Sequence, residues 1–184
     1  MIHLKEAPAV SPPRRARLRD GKVAIDWAAS GWAGVAGGIV LLAIQTLLPP
    51  LITGESPVSA ARRIAAIAMG GSALTPPTGM TPFVFLAAAA VHLPLSLIYA
   101  RLLAAIVRDW SAARSAAMGA LFGACLYALN YYAFAALFPW FMQARGWIGL
   151  GSHIAFGVTA GWLYQRLASR TRRTGGADSR LSSS

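Results

Sequence analysis

The chain has 184 residues, of which 56% are hydrophobic and 12% charged, with 17 Lys and Arg against 6 Asp and Glu. A soluble domain carries about a quarter charged residues, and here the few charges leave long gaps: residues 27–54, 64–100, 115–144 and 146–165 contain no Asp, Glu, Lys or Arg. Each gap is at least as long as the roughly 20 apolar residues that cross a bilayer, which excludes a soluble enzyme, a disordered basic protein and a disulfide-stapled secreted domain.

A net charge of +11 would suit nucleic acid if the basic residues formed a patch on a folded domain. They sit instead in the two tails and at helix ends, so nucleic acid is not an expected partner. Cys125 is the single cysteine. No internal disulfide can form, and a small apolar role is expected for it.

In chain order, residues 1–26 are polar and basic, with Arg14, Arg15, Arg17, Arg19 and Lys22 among three prolines, and read as a disordered cytoplasmic tail. A first span is expected over about 28–48, stopped by Pro49-Pro50. It is too long for the apolar core of a cleaved signal peptide. After the turn Thr53-Gly54-Glu55, Ser56-Pro57 reads as a cap and first position of a short helix over about 57–69. At about 18 Å that helix is too short to span. Arg62 and Arg63 place it in the interface, with Gly70-Gly71-Ser72 and Pro76-Pro77-Thr78-Gly79 ending it as a loop.

The second span is expected over about 82–107, with Arg101 snorkelling to the headgroups. The third covers about 113–138, closed by Pro139-Trp140, and the fourth about 148–167. Residues 169–184 are rich in Arg, Ser and Gly and read as a second disordered tail. The expected fold is all-α: one membrane domain over 27–168, an integral four-helix bundle with one short interfacial helix between spans 1 and 2.

With the N-terminus inside, Lys5, Arg14, Arg15, Arg17, Arg19, Lys22, Arg101, Arg108, Arg114, Arg166, Arg170, Arg172, Arg173 and Arg180 are cytoplasmic. Only Arg62, Arg63 and Arg145 of the 17 basic residues lie outside, as the positive-inside rule requires, and an even number of spans returns the C-terminus to the cytoplasm. Trp27, Trp32, Trp110, Trp140 and Trp147 fall near span ends, where amphipathic rings prefer to sit; Trp162 lies deeper.

Helices in lipid associate through small residues that let backbones approach. Ser30, Gly34 and Gly38 share a face of the first span, Gly119 and Gly123 of the third, and Gly157 and Gly161 of the fourth. Such faces fit a compact bundle. They leave open whether the partner is the same chain or a second subunit.

No Asp or Glu lies within a span, which removes carboxylate proton relays and paired acid–base carboxylates. The intramembrane polar set is Gln45, His92, Ser96, Tyr99, Tyr127, Asn130, Tyr131, His153 and Thr159. His92, Ser96 and Tyr99 share one helical face; Tyr127, Asn130 and Tyr131 share another. His92 should lie about 15 Å and His153 about 7 Å below the outer surface, with Asn130 also in the outer half. These residues are expected to form a polar cluster, either bonding helix to helix or lining a pocket or path. Two histidines on different helices could also hold a haem axially, though zinc would lack carboxylate or thiolate partners. No resident cofactor is expected, with haem a minor alternative.

The stretch 119–163, with Asn130-Tyr131-Tyr132, Phe138-Pro139-Trp140-Phe141, Ala144-Arg145-Gly146-Trp147 and His153-Ile154-Ala155-Phe156-Gly157, resembles a family of small bacterial four-helix inner-membrane proteins. Ser56-Pro57 and Arg63-Ile64-Ala65-Ala66 extend the likeness over most of 28–168. Members of that family have no established function, and some carry a sodium:proline symporter label. Four spans are too few for the inverted repeats that build such transporters. The resemblance implies an inner-membrane location and brings no catalytic residue. The expectation is a non-enzymatic multi-pass protein that packs with itself or a partner subunit. A small-solute or ion pathway through an oligomer is the alternative, and a haem- or quinone-linked membrane subunit the second alternative.

Overall fold

The computed structural model describes residues 24–75 and 82–181. Among these residues there is no strand, and five α-helices carry the chain: α1 (Trp27–Ile52), α2 (Ser59–Met69), α3 (Pro82–Val107), α4 (Ala112–Ala128) and α5 (Trp147–Leu181). Three stretches among them are long and apolar enough to cross a membrane: Trp27–Ile52, Pro82–Val107 and Ala112–Ala136. The chain is thus an all-helical protein of membrane-embedded character. The basic tail up to residue 23 and the Pro76-Pro77-Thr78-Gly79 turn lie outside the described residues.

α5, the expected fourth span, has ample length but is not among the three apolar stretches. Its position in the fold accounts for this. α5 packs against α1, α3 and α4 and buries Ser152, His153 and Gln165 beside Phe156, Ala160, Tyr164 and Ala168. A helix enclosed on several sides keeps less lipid-facing surface, so polar residues are tolerated in it when their hydrogen bonds are made inside the protein.

α1 begins on Asp26, whose Oδ1 accepts the Ala29 amide at 2.9 Å, a side-chain cap on an otherwise orphan donor. The expected stop at Pro49-Pro50 is corrected: both prolines lie inside α1, which runs to Ile52. Proline's fixed φ is itself helical, and its main cost is a lost bond one turn back. Placed in the last turn, the pair removes few bonds, and the Pro49 carbonyl accepts from both the amide and hydroxyl of Thr53 at 2.8 and 2.9 Å.

α2 starts at Ser59 rather than residue 57, with Val58 at the cap position and no side-chain cap. Ser56 contributes its carbonyl instead, accepting the Ser59 amide at 3.0 Å. Ile64, Ala65 and Ala66 are buried with Val84 and Ala88 of α3, so α2 rests on the bundle through its apolar side. Arg63 pairs with Glu55, and the Trp140 indole donates to the Arg63 carbonyl at 3.1 Å.

α3 has the bounds read from the sequence. The third expected helix does not continue to residue 138: α4 ends at Ala128, and the chain passes through a π turn, Leu129–Ala133, and 3-10 turns, Phe134–Ala136 and Pro139–Ala144. Phe138 leaves the helical region at φ −126°, the conformation favoured for a residue before a proline. The expected end of the fourth helix and the disordered tail from 169 are also corrected, because α5 is helical to Leu181. No proline follows Pro139, Ala and Arg favour helix, and extending a formed helix costs far less than starting one.

Candidate functional site

Glycines decide how closely the helices approach. A Cβ on Gly119 would collide with the Gly157 carbonyl and one on Gly157 with the Gly119 carbonyl, while Gly123 meets the His153 carbonyl and Gly161 that of Ser115. Gly34 and Gly38 of α1 meet Ser96, Ala100 and His92 of α3 in the same way. The small-residue faces are therefore used within one chain. They hold α4 to α5 and α1 to α3, and this brings the polar residues of four helices together.

His153 on α5 is buried, with Nδ1 2.8 Å from the Gly149 carbonyl and Nε2 3.2 Å from Nδ2 of Asn130. A carbonyl only accepts and an amide nitrogen only donates, so Nδ1 carries the proton and Nε2 accepts. On α3, His92 places Nε2 3.1 Å from the Gly38 carbonyl of α1 and 3.3 Å from Ser96 Oγ. That nitrogen must be the donor, which leaves Nδ1 of the neutral ring as an acceptor. The Gln45 amide nitrogen donates to Tyr131 Oη at 3.2 Å and to Ser152 Oγ at 3.0 Å, joining α1 to the π turn and to α5.

Tyr127 on the last turn of α4 and Asn130 and Tyr131 in the π turn all meet the bundle interior. Tyr127 stacks on Tyr131 at 5.0 Å between ring centroids and stands edge-on to His153 at 5.9 Å. Its hydroxyl accepts the Gly146 amide at 3.0 Å, and Arg145 Nε donates to the Tyr131 carbonyl at 2.8 Å. The loop before α5 is thereby fastened over the π turn.

Below that loop lies a cavity of about 230 Å³ between α1, α2, α3, the π turn and α5. Gln45, His92, Ser96, Tyr99, Asn130, Tyr131 and His153 line it, set in a wall of aliphatic residues and Phe134, Phe138, Phe141 and Phe156. No Asp, Glu, Lys, Arg or Cys is in the lining. A second chamber, about 170 Å³, shares Gln45 and Tyr131 with the first and is walled by Glu55, Arg63, Gln143 and Arg145. The hydrogen bond between Gln45 and Tyr131 stands where the apolar chamber meets the polar one.

Of the residues singled out by helical spacing, His92, Ser96, Tyr99, Asn130, Tyr131 and His153 reach the cavity, and Tyr127 supports it from behind. Thr159 is not in its lining. The sequence reading missed Ser152, buried and bonded to Gln45 and to the Gly149 carbonyl, and Gln165, which donates to the Val107 carbonyl at the opposite end of the bundle. A small serine beside a histidine gives no periodic signal. Gln165 had one, a polar residue between Tyr164 and Arg166 within an apolar pattern.

Haem ligation would draw on ring nitrogens that already have partners. The Nε2 atoms of His92 and His153 are both committed to hydrogen bonds, and the axial pair would have to surrender them. Among the described residues, no three His, Cys, Asp or Glu side chains come together as a metal site. No family model, curated protein or solved structure matches the chain.

Proposed function

We propose that this is a non-enzymatic, four-span membrane protein that holds a small, uncharged, largely apolar molecule inside its bundle. The observation that carries this reading is the 230 Å³ cavity, walled by aliphatic and aromatic side chains with a few polar groups and no charge. Ligand sites have that composition: apolar walls give affinity and a small number of placed polar atoms give orientation. With no carboxylate, thiol or lysine in the wall, the site has binding chemistry and no evident acid–base or nucleophilic pair.

In this proposal α5 is the fourth span, and both ends of the chain are on the cytoplasmic side of a bacterial inner membrane. The distribution of Lys and Arg supports that orientation, and the resemblance to small inner-membrane proteins supports the location. α2 with Arg63 and the turns carrying Trp140 and Arg145 would then face outward. Self-association, if it occurs, must use lipid-facing surface, because the glycine faces are taken up inside the chain.

The test is chemical. Protein purified from its native membrane is extracted with organic solvent, and the small molecules retained are identified by mass spectrometry. The result is compared with Ile67→Phe, which adds bulk to the cavity wall. A near-stoichiometric compound present in the parent protein and depleted in the variant is expected. Recovery of bulk lipid alone from both would overturn the reading.

A solute path is the second reading, favoured by the polar chamber stacked against the apolar one across Gln45 and Tyr131. Flux into proteoliposomes that increases in Gln45→Ala would support it over a closed pocket.

A further inference from the structure

We infer that the ligand of this cavity is a neutral apolar molecule with a hydroxyl group, an alcohol or phenol, whose O–H is donated to one of two fixed acceptors, His92 Nδ1 or Asn130 Oδ1. The inference rests on the pocket reading above and adds the chemical class that the pocket selects.

Hydrogen-bond polarity decides the class. His92 spends its one N–H on the Gly38 carbonyl, so its other ring nitrogen has a lone pair and no proton. Nδ1 has no partner among the described residues and is not among their sealed, unpartnered polar atoms, while the ring itself lines the cavity. Asn130 is oriented by His153. Because His153 Nδ1–H is used on Gly149, Nε2 can only accept, and the Asn130 amide must present its nitrogen there. Oδ1 is left as the free acceptor of a residue that also lines the cavity.

The network therefore fixes two acceptors in the wall, on α3 and on the turn that ends α4, while Tyr131, whose oxygen accepts from Gln45, keeps its own proton to donate. Ser96 and Tyr99 also reach the wall, but their hydroxyls rotate and serve as donor or acceptor as required. A ketone, ether or ester would meet only hydroxyl donors such as Tyr131 and would leave both fixed acceptors, His92 and Asn130, unpaired. A hydroxyl satisfies one fixed acceptor with its proton and receives from Ser96 or Tyr99 on its oxygen. An anion has no cation in the wall to meet it, and a cation would leave water for a wall without a carboxylate. A neutral hydroxyl on an apolar frame matches both the polarity and the walls.

The test uses a matched pair, 2-naphthol and 2-methoxynaphthalene, which share a ring system and differ by replacement of the hydroxyl proton with methyl. Binding is measured calorimetrically on the full chain in lipid nanodiscs, with partition into empty nanodiscs subtracted. The expected result is that 2-naphthol binds about tenfold tighter, the value of one well-made hydrogen bond, and that one of His92→Phe and Asn130→Leu, whichever removes the acceptor that takes the proton, abolishes the preference. Asn130→Leu keeps the His92–Gly38 bond and His92→Phe keeps the Asn130–His153 bond, so the two variants report on the two acceptors separately. Equal binding of the two probes, tighter binding of the ether, or a preference that survives both substitutions would overturn the hydroxyl inference and leave the pocket standing. Binding of neither probe above empty nanodiscs would overturn the pocket reading itself.

Discussion

The carbonyl oxygen of Gly119 lies where a Cβ of Gly157 would stand, and the carbonyl of Gly157 lies where a Cβ of Gly119 would stand. This reciprocal contact is the closest approach of α4 to α5, and it repeats one turn along in either direction, at Gly123 against His153 and Gly161 against Ser115. Backbone cannot move aside as a flexible side chain can. The spacing of these two helices, and with it the distance between Asn130 and His153, depends on the absence of four side chains.

Gly157→Ala and Gly119→Ala should each push the helices apart and lower stability by about 1–3 kcal/mol, the usual cost of overpacking. Gly151, on the same helix with nothing within 4 Å of its Cβ position, is the control: Gly151→Ala should be neutral or stabilising by up to about 1 kcal/mol. Thermal unfolding in detergent followed by circular dichroism measures both. Equal melting temperatures for Gly157→Ala and Gly151→Ala would show that α4 and α5 do not meet at these glycines.

The Asn130–His153 hydrogen bond should appear as a coupling energy. Asn130→Leu is expected to lower stability by about 0.6 kcal/mol, the average for interhelical bonds in a membrane. His153→Leu should cost more, because it also removes the bond to the Gly149 carbonyl. A double-mutant cycle should give a coupling of about 0.6–1.7 kcal/mol. Strict additivity of the two single changes would mean that the side chains do not interact.

The proposed topology rests on the charge distribution and is tested by labelling. In a Cys125→Ala background, single cysteines replacing Ser11 or Ser179 should be shielded from an impermeant thiol reagent in intact cells, and one replacing Gln143 should react. Labelled tails with Gln143→Cys protected would invert the proposed orientation.

Much of this protein is determined by local sequence. Four long windows without charge dictate apolar helices, because a backbone removed from water must satisfy its own hydrogen bonds. The bounds of α3 follow from Pro82 at a first helical position and the charges Arg108 and Asp109 just past its end. His92, Ser96 and Tyr99 share a face through the 3.6-residue period alone, and so do Tyr127 and Asn130 with Tyr131. Their inward direction follows from the cost of an unpaired imidazole or amide in lipid. That these polar residues would gather inside the bundle was legible in these spacings.

Other features came only from tertiary contact. Pro49 and Pro50 read locally as a stop, yet α1 carries both in a final turn that Thr53 closes. The π turn at Leu129–Ala133 has no signature in its own residues; it forms where Gln45, His153 and Arg145 all engage the same turn from outside it. α5 resembles a weak span in isolation because its polar residues are to be judged against neighbours: Ser152 against Gln45, His153 against Asn130, Gln165 against Val107. Likewise, a glycine face records that something comes close and not what comes. Periodicity and propensity act within a few turns of one helix, whereas the partner of a buried polar atom, and the space left between helices, depend on residues 23 to 107 positions away. The cavity and its hydrogen-bond polarity belong to that second kind of information.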